Sequence, residues 1–143
     1  MWDKYRACKN LGIPYRIIDM DDNVGGYSQL KDRFIHINKS WADKDRVWIH
    51  EIAHTLLHFQ KFESAAGGNS EKNAMAELEA DTVAYITAKV LGKEDRQDYL
   101  KYVKMFMSRL PVYEQSGSVL DNRMPELLKL VKIILNAGGY IYG

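Results

Sequence analysis

The chain holds little that would decide its class at a glance. Cys8 is the only cysteine among 143 residues, so no intramolecular disulfide can form and a cysteine-rich metal site is excluded. Cys8 falls in an expected first helix and reads as a small, half-buried residue. Neither sign of charge dominates: 20 Lys and Arg against 19 Asp and Glu leave a formal net charge of +1. That balance lacks the footprint of a nucleic-acid-binding domain and equally that of an acidic mimic of DNA. Apolar runs are short, and none nears the roughly 20 residues a membrane helix requires. The opening residues, MWDKYRACKN, are mixed and charged and do not resemble a signal peptide. The expectation is a cytoplasmic protein with no membrane partner, or a domain cut from a larger one.

What is present points to a packed domain. Hydrophobic residues make up 46% and charged residues 27%, which argues against disorder. Residues 2–10 suit a short helix that stops before Gly12 and Pro14. Three short extended segments follow, YRIIDM, GGYSQL and RFIHIN, separated by Asp, Asn and Lys-Asp turn signals. In the last of these, Ile35 and Ile37 alternate with Phe34, His36 and Asn38, so two different faces are expected. A helical period then runs through SWADKDRVWIHEIAHTLLHFQKF, with Ser40 or Asp43 as its cap. A polar loop, SAAGGNSEKN, leads to a second long helix from about Glu71 to Leu91, stopped at Gly92. A further helix is expected over 95–109, a loop over 111–122 and a last helix over 123–136. Strands cluster early and helices late, which gives a single α+β domain over 1–143, with a core at 13–92 and a helical extension at 93–143.

The first long helix carries the chemistry. His50-Glu51-Ile52-Ala53-His54 is an HExxH pattern, and on a helix advancing about 100° per residue its two imidazoles lie on one side. With His50 at zero, Glu51 falls near ~100° and His54 near ~40°, while Trp48, Ile49, Ile52, Ala53, Leu56, Leu57 and Phe59 spread over ~160° to ~340°. One side of the helix is therefore core and the other is available for a metal. Three of the four histidines lie between positions 50 and 58, which a plain solvated face does not call for. Two histidines and a third protein ligand leave one zinc position for water, whose pKa the metal lowers to about 7. Glu51 points beside such a metal and suits the role of general base. His58 is read as solvent-facing or in an outer role.

The next long helix offers the third ligand. Around Glu77, Asp81 falls near ~40°, Ala80 near ~300°, Ala84 near ~340° and Ala88 near ~20°. Small side chains on that strip let two helices approach closely, which brings a carboxylate within reach of the first helix. Glu77 is the favoured ligand over Glu79, which lies near ~200° among Val83 and Ile86 and is read as peripheral or structurally hydrogen-bonded. Asp81 is placed to accept a hydrogen bond from a ligating imidazole and to fix its tautomer.

These segments resemble a known group. Gly26-Tyr27, Ile35 to Asn38, the run HEIAHTLLH and Glu77-x-x-x-Asp81 together resemble the ImmA/IrrE family of zinc metallopeptidases. They are also similar to the zincin-like C-terminal domain of ArdC antirestriction proteins. The resemblance covers roughly residues 24–92 and implies a zincin-like fold of the gluzincin type, with Glu77 as the third ligand. It further implies one zinc ion and a protein or peptide substrate, such as a transcriptional repressor. Where ImmA/IrrE members continue into an aliphatic-Met-Pro segment, this chain reads ITAKVLG, closer to ArdC.

Two functional expectations follow. The first is a zinc-dependent metalloendopeptidase with Glu51 as base, in which strand 33–38 binds an extended peptide along its edge. Tyr27 and His36 are candidates to line the cleft, with a surface-strand role favoured for each. The second is a non-catalytic, zinc-stabilised antidefence module that binds DNA or a protein, although the charge does not indicate nucleic acid. Tyr99, Tyr102, Phe106 and Tyr113 recur near helical spacing and read as core or interface. If residues 93–143 cover the cleft, the enzyme is latent until a partner displaces them, an expectation that rests on their length alone.

Overall fold

A computed structural model describes residues 1–21, 25–29, 34–58, 70–92, 101 and 117–140. The architecture over these residues is α+β, with four α-helices and a small three-stranded mixed sheet. Helix α1 spans Lys4–Leu11. The Asp3 side chain accepts the Tyr5 and Arg6 amides at its start, and Gly12 closes it with φ 68°. That left-handed conformation suits glycine, and the Gly12 amide returns to carbonyls of the last turn.

Strands β1 (Tyr15–Ile18), β2 (Gly26–Gln29) and β3 (Phe34–Asn38) form a sheet in the order β1-β3-β2. β1 runs parallel to β3 with Tyr15 opposite Ile35, and β2 runs antiparallel with Tyr27 opposite His36. β3 is thus the centre of the sheet, with a neighbour on each side. The expectation that its edge receives a peptide is overturned, because its backbone donors and acceptors already serve β1 and β2. Its two faces do differ, but both are buried. Ile35 and Ile37 are fully buried in the main core. On the other face His36 is buried and stacks against Tyr27, with ring centroids 4.4 Å apart. The surface role expected of His36 is thereby corrected, whereas Tyr27 is exposed.

Asn38 ends the strand and caps a short 3₁₀ turn at Lys39–Trp41, its Oδ1 accepting the Ser40 amide at 3.1 Å. Helix α2 (Asp45–His58) starts only after that turn. Neither Ser40 nor Asp43 stands at the residue before it, so the expected caps are corrected: the chain turns first through the 3₁₀ segment. α2 buries Trp48, Ile49, Ile52 and Ala53 completely. Helix α3 (Ser70–Val90) stops where expected, at Gly92 with φ 73°.

Helix α4 (Gly117–Ala137) begins earlier than the expected residue 123, so 117–122 is helix where a loop was read. Pro125 lies inside it, a position that removes one backbone hydrogen bond. The turn ahead of it is held by tertiary contacts: Met124 packs against the core and Arg123 bonds Glu79. α4 joins the core directly, with Leu127, Ile134 and Leu135 buried beside Trp2, Ala7 and Cys8. Trp2 Nε1 donates to the Ile134 carbonyl at 2.9 Å, and Asn10 Nδ2 to that of Ala137 at 2.8 Å. Cys8 is fully buried rather than half-buried, and burial pushes its thiol up to about 12. The expected helix over 95–109 lies outside the described residues except Lys101, which is helical. Tyr99, Tyr102, Phe106, Tyr113 and the side chain of His58 also lie outside them. Among the described residues no helix is long and apolar enough to cross a membrane.

Candidate metal centre

The site is built where α2, α3 and β2 meet. α2 turns its apolar side to the sheet and core and leaves His50, Glu51 and His54 together, each offering a ligand atom within 4.8 Å of the others. α3 approaches through Ala80 and Ala84, both fully buried, and brings Glu77 to the two imidazoles. Glu77 Oε2 lies 3.1 Å from His50 Nε2, and Glu77 Oε1 lies 2.9 Å from His54 Nε2. The two Nε2 atoms are themselves 3.1 Å apart. Zinc–nitrogen bonds of ~2.0–2.1 Å at tetrahedral angles set ligand atoms ~3.3 Å apart. The three contacts fit that spacing to within a few tenths of an ångström, so the donor set suits a small divalent cation.

The protonation pattern agrees. Asp81 Oδ1 lies 2.8 Å from His50 Nδ1, and a carboxylate can only accept there, so Nδ1 carries a hydrogen and Nε2 is the ring atom turned to Glu77 and His54, free to offer its lone pair once a metal replaces the proton. Burial opposes a charged His50, but hydrogen bonds to Asp81 and Glu77 outweigh it and hold the imidazole well above its ordinary range. Burial would likewise raise the Glu77 carboxyl, yet contacts from His50 and His54 hold it well below the carboxylate range. Both directions say that the pocket favours positive charge at the point where these atoms converge. A metal cation supplies that charge as a proton does.

Glu51 is buried one residue past the first imidazole, and its carbonyl accepts the Thr55 hydroxyl at 3.0 Å. β2 passes directly over it. A Cβ on Gly26 would stand 2.6 Å from the His36 carbonyl oxygen and 3.2 Å from Glu51 Cγ, so only glycine lets the strand lie this close. Glu77 keeps part of its side chain exposed, which leaves the cluster open to solvent on that side.

His50, His54, Glu77 and Asp81, singled out from spacing, are therefore brought together, with Glu51 beside them. Glu79 takes the second of its two expected roles, structurally hydrogen-bonded rather than peripheral. It is buried and accepts Arg123 Nη2 at 2.9 Å and Nε at 3.2 Å, away from the imidazoles. Two neighbours escaped the sequence reading. Arg46 lies 4.0 Å from Asp81; its place four residues before His50 was the available signal, since that spacing shares a helix face. The contact of Gly26 with Glu51 had no such signal, because it joins a strand to a helix across 25 residues.

Comparison with protein-family models, curated proteins and solved structures finds no match to this chain.

Proposed function

We propose that this chain is a zinc-dependent metalloendopeptidase of the zincin-like, gluzincin type that hydrolyses a peptide bond in a protein substrate. One observation carries the reading: two imidazole Nε2 atoms and the Glu77 carboxylate converge at 2.9–3.1 Å, with a second carboxylate, Glu51, beside them. Two carboxylates in different roles, one turned into the cluster and one beside it, is what metal-assisted hydrolysis asks for. The motif resemblance to ImmA/IrrE enzymes supports the same reading and names a regulatory repressor as the kind of substrate. A cytoplasmic setting belongs to this proposal.

His50, His54 and Glu77 would hold the ion. When bound, zinc acidifies a water and polarises the substrate carbonyl. Glu51 would act as the base that takes a proton from the attacking water and returns it to the leaving amine. Asp81 keeps His50 in the tautomer that presents Nε2. Among the described residues the outer edge of β2 carries no strand, and one face of β2, at Gly26, lies close to Glu51. An extended peptide pairing there would take the role first expected of β3.

The test compares zinc-loaded wild type with Glu51→Gln. Both are expected to hold one zinc per chain, and only the wild type generates new protein N-termini in a lysate. Equal cleavage by Glu51→Gln would remove the general-base role. No cleavage by either, with zinc bound, would favour the zinc-stabilised binding module.

A further inference from the structure

Glu79 occupies an unusual place. It lies on α3 between Glu77 and Asp81 in sequence, yet about 200° round the helix from Glu77 and so on the opposite side. That side carries the larger apolar residues Val83 and Ile86 and meets α4 through Arg123, while the alanine side, with Glu77 and Asp81, faces α2. A carboxylate as buried as Glu79, 3% exposed, is not stable there alone. Its cation comes from 44 positions along the chain: Arg123 on α4 donates from both Nε and Nη2 to Glu79 Oε2. Arg123 also bonds Glu126 on its own helix, which holds the guanidinium in place.

We propose that Arg123 is a positioning residue for the metal centre: through Glu79 it fixes the rotation of α3 at which Glu77 and Asp81 reach α2. The proposal rests on the metal-centre reading above. Without Arg123, the buried Glu79 carboxylate must take up a proton or regain solvent through a turn or shift of α3. A turn of ~20° moves a carboxylate ~6 Å from the helix axis by ~2 Å. Metal ligands tolerate only about ±0.2 Å, so even a small rotation dismantles the cluster. Buried ion pairs add little net stability, but setting register is their best-attested use. Here the register is that of the helix supplying both acids to the site.

The experiment measures zinc Kd by competition with a chromophoric chelator, alongside Tm in the presence of EDTA. The proteins are the full chain as wild type, Arg123→Met, Arg123→Lys and the double variant Arg123→Met/Glu79→Gln. Arg123→Met is expected to weaken zinc binding at least ~tenfold, as loss of an outer support does. Arg123→Lys keeps the charge but not the forked donor, and falls about threefold below wild type. The double variant, with no buried charge left to expel, recovers most of the affinity. A merely structural pair would lower Tm and leave Kd unchanged, because Kd is read on the folded protein. Arg123→Met binding zinc like wild type overturns the proposal. If Arg123→Met does not fold, an unchanged affinity in Arg123→Lys overturns it instead. A wild type that binds no zinc removes the metal-centre reading itself, and this inference with it.

Discussion

His50 and Asp81 are joined by a 2.8 Å contact from Nδ1 to Oδ1, and that bond decides which face of the imidazole meets the rest of the site. With Nδ1 occupied, Nε2 faces Glu77 and His54, and neither oxygen of the ionised Glu77 can donate to it. The arrangement is satisfied by a shared proton or by a metal, and the site's chemistry follows from that choice.

Asp81→Ala is expected to weaken zinc binding by ~10–100-fold while leaving the helices intact, since the ring loses its orienting partner but the three ligands remain. Glu77→Ala removes a ligand and is expected to release zinc on dialysis. Elemental analysis of the two variants beside wild type checks both. Retention of one zinc by Glu77→Ala would exclude it as the third ligand.

The metal-free protein should show a pH signature from the same cluster. His50 is held above its ordinary 6.5, so its contribution to stability is complete below that value and is lost as pH rises through the raised one. Glu77 is held below its ordinary 4.5, so its contribution is complete above that value and is lost as pH falls. The excess Tm of EDTA-treated wild type over Glu77→Gln is therefore expected to be greatest between pH 4.5 and 6.5. Zinc titration at pH 7 should release about one proton from the His50–Glu77 pair. A Tm difference flat across pH would mean that the pair does not form.

Much of this was readable from spacing, and the reason is helical geometry. His50, His54, Glu77 and Asp81 each sit at a fixed angle on one of two helices, and the alanine strip of α3 marked which side would face its partner. What spacing could not supply is pairing between distant elements. The order β1-β3-β2 depends on a parallel match of Tyr15 with Ile35, for which local sequence holds no signal. His36 and Asn38 are polar residues buried by tertiary neighbours, against their usual place. The last helix, expected from 123, begins at Gly117, and the turn ahead of Pro125 is held by the tertiary contacts of Met124 and Arg123. The Arg123–Glu79 pair spans 44 positions and was invisible for the same reason.

α4 is part of the core rather than a cover over the cleft. It packs on α1 and on the side of α3 opposite Glu77, so α4 itself is not the cover expected of 93–143, whose residues before 117 lie, except Lys101, outside the described ones. Ile134 is fully buried, and Ile134→Ala is expected to cost ~2–5 kcal/mol by urea denaturation. Deleting 111–143 should give an unfolded chain by circular dichroism. A folded and more active truncation would restore the idea of an inhibitory segment.

Gly26 offers the sharpest separation between binding metal and doing chemistry. The Cβ of Gly26→Ala would meet the His36 carbonyl oxygen at 2.6 Å, which is backbone and cannot swing aside, and Glu51 Cγ at 3.2 Å. β2 must then lift from β3, and the Glu51 side chain must move. Overpacking of this kind costs ~1–3 kcal/mol, so a lowered Tm is expected with the fold retained. The ligands sit on α2 and α3, away from that strain, and zinc content should stay at the wild-type level. Peptidase activity should fall, with kcat more affected than KM, because a displaced base harms the reacting step more than substrate pairing. Full activity in a folded Gly26→Ala protein would show that β2 does not hold Glu51 in place, and the strand's part in the site would reduce to packing.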